Sequence, residues 1–227
     1  MAVVATAPVS GQQAGGEADL TAFLNNVGIQ RDPTGMTANF DGGGYAYSGL
    51  ALQIGDPVNG YAGVEPGDTL TAGGLTFTWP DRPVGASDNV SAVGQTVPVP
   101  IIPGATKIGF LGAGAGDQAG TLILNYTFVD SDGVEQEKAV ATTLGFTDWT
   151  RGLLGDTPLR ANEVIVLKTL FRTTNNAGPF VFTNPHVFLA TIPLDPTMTL
   201  TSVKLPLNPQ IHVFGVAVGP EVTVQAP

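Results

Sequence analysis

From Leu20 onward, apolar and polar residues alternate in short runs separated by turn residues. LTFTW, Leu75 to Trp79, alternates and stops at Pro80. In TLILNYTFV, Leu122, Leu124, Tyr126 and Phe128 fall on one side and Ile123, Asn125 and Thr127 on the other, the period of a strand. DSDG, Asp130 to Gly133, then leads into VEQEKAVATTLGF, which reads as a hairpin. TVPVPII, Thr96 to Ile102, carries Pro at alternate positions and belongs at a sheet edge, because Pro cannot donate to a ladder. KIGFLG, EVIVLKTLFR, PFVFTNPHVFLATI, MTLTSVKL and QIHVFGVAV add further strands. Leu20 to Val27 has room for one helical turn at most. The pattern predicts about nine or ten closely spaced strands and an all-β fold, an antiparallel β-sandwich or jelly roll.

Composition agrees with a packed globule. Hydrophobic residues make up 43% of the 227 residues and charged residues 12%, the reverse of a disordered chain. Thirty Gly and eighteen Pro imply many turns. Residues 1–18 are small and Gly-rich and read as an arm, flexible or ordered by a partner. Residues 19–219 read as one sandwich domain and 220–227 as a tail.

Charge and missing residue types narrow the function. The net charge is −10 with nine Lys and Arg, which gives no electrostatic footprint for nucleic acid. There is no cysteine, so disulfides and thiolate chemistry are excluded. No apolar run approaches a membrane helix, so membrane insertion is not expected. The start lacks the basic residues and long apolar run of a recognisable signal peptide.

Candidate chemistry is sparse. His186 and His212 lie apart among apolar strand residues, in no metal-binding spacing. FLGAGAGDQAG fits G-x-G-x-x-A at Gly114, Gly116 and Ala119 but runs straight into a strand, not the helix that a dinucleotide site needs. No Ser has the G-x-S-x-G surroundings of a nucleophile elbow. Asp130, Asp132, Glu135 and Glu137 read as turn and edge charges. No catalytic set emerges, and the chain is expected not to be an enzyme.

Two binding readings remain. Tyr45, Tyr47, Trp79 and Trp149 sit in polar company, and Asp148 and Arg151 flank Trp149. A ring for C–H stacking beside carboxylate and guanidinium groups is the equipment of a sugar site, and equally of a core anchor beside a loop. Asn39, Asp41, Asp88 and Asn89 are oxygen-rich and would suit calcium if their two loops converged, or are turn formers without a metal. TANFDGGGYAYSG, Thr37 to Gly49, belongs to both readings: three glycines, one carboxylate, two tyrosines.

The ordered blocks FLNNVGI, ANFDGGGYAYS, GLTFTWP, DNVSAVGQT, IGFLGAG, LGFTDWT and IHVFGVAVG resemble an accessory domain of secreted actinobacterial glycoside hydrolases, including α-mannosidase, β-glucosidase and fucosidase-like chains. The resemblance covers about residues 20–219. It implies a galactose-binding-like or carbohydrate-binding-type sandwich attached to a separate catalytic domain. The expected function is a non-catalytic carbohydrate-binding or adhesion domain, extracellular, with a glycan or cell-wall polysaccharide as partner. The alternative is a structural virion protein of an actinobacterial phage, a minor tail or capsid-surface component, with virion proteins or further copies of itself as partners.

Overall fold

A computed structural model describes residues 15–31, 37–151, 157–174 and 181–219. The first strands are β1 (Gly16–Glu17), β2 (Ile29–Gln30) and β3 (Tyr45–Ser48), followed by one short helix, α1 (Gly49–Ile54). Then come β4 (Thr69–Ala72), β5 (Leu75–Thr78), β6 (Val90–Val93), β7 (Thr96–Pro98), β8 (Lys107–Gly114), β9 (Gln118–Val129) and β10 (Glu135–Phe146). The chain continues through β11 (Glu163–Lys168), β12 (Arg172–Thr174), β13 (His186–Pro193), β14 (Thr199–Lys204) and β15 (Leu207–Gly219). Several of these segments are two or three residues long, which is why alternation in the sequence finds fewer strands.

Two antiparallel sheets form the sandwich. One runs β1-β15-β8-β13-β11, with β6 also on β15; the other runs β10-β9-β14-β7. The expected hairpin is β9–β10, paired from Gln118↔Phe146 to Val129↔Glu135. The proline-bearing β7 lies at the edge of its sheet. Leu122, Leu124 and Tyr126 of β9 point inward and are buried, as their alternation predicts.

The central strands β8, β13 and the end of β15 are buried on both faces. The aromatic ring of Phe146, from the four-stranded sheet, lies over Gly112, while Leu75 and Phe77 of the β4–β5 hairpin lie over Gly109 on the opposite face. The larger sheet is therefore the middle of three layers. This explains the near-continuous apolar run KIGFLGAG where a two-layer sandwich would show alternation. The small sheet β12-β3-β2 and α1 complete the outer layer. Ser48 caps α1, its hydroxyl accepting from Ala51 N at 3.3 Å.

Gly16 and Glu17 pair with Val218 and Ala217, and Ala18 is buried. The sandwich thus includes Gly16 to Ala18, which the sequence assigns to the arm. Residues 1–14 of that arm and the tail at 220–227 lie outside the described residues. Among the described residues no helix is long and apolar enough to cross a membrane.

Candidate binding site at one end of the sandwich

The glycine stretch is a turn built by side chains. Asp41 Oδ1 accepts from Gly43 N at 2.8 Å and Tyr45 N at 3.1 Å, and Asn39 Oδ1 accepts from Gly44 N at 2.9 Å. Phe40 N donates to Tyr45 O at 2.7 Å and closes it. Gly42 and Gly44 have φ of 76° and 87°, values that L side chains rarely adopt. The turn delivers Tyr45 and Tyr47 to one face of β3, where Tyr47 meets Trp149 and Tyr45 meets Arg172.

Trp149 follows β10 and is 2% exposed. Its ring packs against Phe40 and Tyr47, each at 4.8 Å between centroids. Tyr47 is fully buried; its hydroxyl donates to the His186 carbonyl at 2.5 Å, and burial pushes its pKa well above the ordinary value. Trp79 is 1% exposed and packs on Phe214 at 4.9 Å. The expected ring faces of Tyr47, Trp79 and Trp149 are therefore spent on the core and offer no sugar platform in this structure. Their polar sequence neighbours belong to the loops, not to the rings.

Around this aromatic floor the partly exposed groups converge. Arg172 of β12 stacks its guanidinium 3.6 Å from the Tyr45 centroid and lies 5.4 Å from that of Trp149. It also pairs with Asp41 at 3.7 Å. Asp148 Oδ1 accepts from the Thr150 amide at 2.9 Å and its hydroxyl at 3.0 Å, while the Asp148 amide donates to Asp117. Arg151 pairs with Asp117 at 3.4 Å, the arginine partly buried and the aspartate exposed. Asp41, expected as a cation ligand, and Tyr45, expected at a sugar site, meet at Arg172 beside the Trp149 indole, whereas Asp148 and Arg151 meet Asp117 in the loop that carries Trp149. Nothing in the sequence around Arg172 marks it, because its role depends on β12 pairing with β3.

The two oxygen-rich loops meet through a residue the sequence does not single out. Asn26 Nδ2 donates to the Asn39 carbonyl at 3.0 Å, and Asn89 Nδ2 donates to Asn26 Oδ1 at 3.0 Å. The acceptor atoms are already engaged. Asp88 is 2% exposed and takes the amides of Gly28 and Ile29 at 3.0 and 3.1 Å; burial raises its pKa. Asn89 Oδ1 lies 2.9 Å from His212 Nδ1. Since the Asn89 amide nitrogen is directed at Asp88 and Asn26, neutral His212 carries its proton on Nδ1. Burial depresses the His212 pKa to about 4. Among the described residues no three His, Asp or Glu side chains are grouped to hold a metal ion. Asn39, Asp41, Asp88 and Asn89 each spend side-chain oxygen on hydrogen bonds within the protein.

The remaining motifs resolve as backbone features. The G-x-G-x-x-A segment is the turn from β8 to β9, with Gly116 at φ 83°. His186 and His212 are buried in separate strands of the middle layer.

A family model described as an AziU2-like beta-sandwich domain matches residues 23–222. The chain belongs to the AziU2-like β-sandwich family. The match spans both main sheets except β1, and the whole candidate site. It agrees with the glycosidase accessory-domain resemblance at the level of the β-sandwich, while the family it identifies carries a different name. No curated protein matches the chain.

Proposed function

We propose that this AziU2-like domain is a non-catalytic carbohydrate-binding or adhesion module that acts outside the cell. One observation carries the reading: Arg172 draws Asp41 and Tyr45 together over Trp149, beside Asp148 and Arg151. Carboxylates and guanidinium groups arranged over a rigid aromatic floor suit the hydroxyls of a sugar. The buried rings fix the polar groups, and Tyr45, held between core and solvent, is the aromatic nearest the ligand. The resemblance to accessory domains of secreted glycoside hydrolases supports the same class of ligand. Titration of the protein against mannan, galactan and actinobacterial wall polysaccharides tests it; saturable binding to one of them is the expected result.

A second reading, a structural protein of an actinobacterial phage virion, is favoured by a different feature: the long edge strand β10, suited to assembly. Detection of the chain in purified particles is its test.

A further inference from the structure

We propose that β10 is a self-recognition edge, through which two copies of this chain join their four-stranded sheets across a two-fold axis. The edges of the two main sheets are not equivalent. β7 is three residues long and contains Pro98. β1 is two residues long. β11 is broken by a bulge between Ile165 and Leu167. Prolines, brevity and bulges are the usual devices that keep an edge from pairing with another chain. β10 has none of these three: it runs 12 residues without proline or register shift, only β9 pairs with it, and its charged residues Glu135, Glu137 and Lys138 are confined to its first four positions. Among the described residues no other backbone hydrogen bond reaches Glu135 to Thr143. Beyond that stretch, Arg160 lies over the face of the sheet at Gly145 and donates to the Gln118 carbonyl of β9.

The open stretch reads E-K-A-V-A-T-T from Glu137 to Thr143. Antiparallel pairing about Val140 sets Ala139 against Ala141 of the second copy, Lys138 against Thr142, and Glu137 against Thr143. No like charges face each other in that register, whereas parallel addition would set Glu137 beside Glu137. On the outer face the small side chains of Ala139 and Ala141 permit close approach. On the inner face, Val140 and Thr142 border a groove of about 310 Å³, lined also by Leu124, Ile192 and Met198 and, at its polar side, by Lys138 and Asp195. The second copy's Val140 would cover it. The occupant that this register fits is therefore the same strand, approached along a two-fold axis.

Sedimentation analysis of the intact protein tests this. The expected result is a concentration-dependent dimer that strengthens with salt, since each copy carries −10. Ala139→Glu together with Ala141→Glu should weaken it roughly tenfold or more. A Lys pair at the same positions should do likewise, and mixing the two variants should restore a heterodimer, which separates lost pairing from lost folding. Because the chain has no cysteine, Val140→Cys should form a disulfide dimer on mild oxidation and Val134→Cys should not. A protein monomeric at every accessible concentration overturns the proposal. So does a dimer that the Glu pair leaves intact, folded charge variants that fail to pair when mixed, or equal crosslinking at positions 134 and 140.

Discussion

The guanidinium of Arg172 lies 3.6 Å from the ring centroid of Tyr45 and ties β12 to β3 over the Trp149 indole. The contact covers one face of a half-buried ring and leaves Asp41 paired beside it. Arg172→Ala should lower stability by about 1–2 kcal/mol, by losing the stack and the ion pair together. Arg172→Lys should recover only part of that, because a point charge lacks the planar face. Urea unfolding of the two variants gives the comparison; equal stability of Arg172→Lys and wild type would show that charge alone matters.

Trp149 tests whether the aromatics serve core or ligand. Its ring fills space among Phe40, Tyr47 and Arg172. Trp149→Ala should cost roughly 3–5 kcal/mol, seen as a lowered melting temperature. Retention of wild-type stability with selective loss of sugar binding would return Trp149 to the ligand.

The sandwich itself was legible in the sequence because its main strands obey simple periods. β9 alternates, β7 announces an edge by its prolines, and DSDG turns β9 into β10. The third layer was hidden: KIGFLGAG is apolar on both faces, and only its neighbours Phe77 and Phe146 reveal what covers each. Trp149 misleads for a related reason. Asp148, Thr150 and Arg151 are polar because the loop is wet, yet the indole turns inward. Asp41 and Asp148 could be named from local chemistry, but Arg172 and Asn26 act on partners distant in sequence.

His212 makes stability fall in acid. Its folded pKa, about 4, lies below the ordinary 6.5 because it is buried. The unfolded chain takes up the proton first, so the contribution is present above pH 6.5 and lost as pH falls toward 4. The loss approaches about 3 kcal/mol. Asp88 works the other way: its raised pKa means that protonation favours the folded state as pH falls through that value. His212→Gln should flatten the stability profile between pH 6.5 and 4, measured by urea unfolding across that range. An unchanged slope would assign the acid sensitivity elsewhere.

The oxygens of Asp41 and Asp88 serve backbone amides. A calcium chelator should leave the melting temperature unchanged, whereas Asp41→Ala should lower it by releasing the Gly43 and Tyr45 amides and Arg172. A chelator-induced drop would establish a stabilising cation.

The central claim is that the Arg172 end of the sandwich holds a glycan. Calorimetric titration of wall polysaccharide into wild type, Arg151→Ala and Asp148→Asn tests it most directly, since both positions lie outside the packed rings. The account predicts saturable binding by wild type and at least roughly tenfold weaker binding by each variant, which corresponds to about 1.4 kcal/mol, with melting temperatures close to wild type. Wild-type binding that both variants retain in full, or no binding to any glycan fraction, would contradict it.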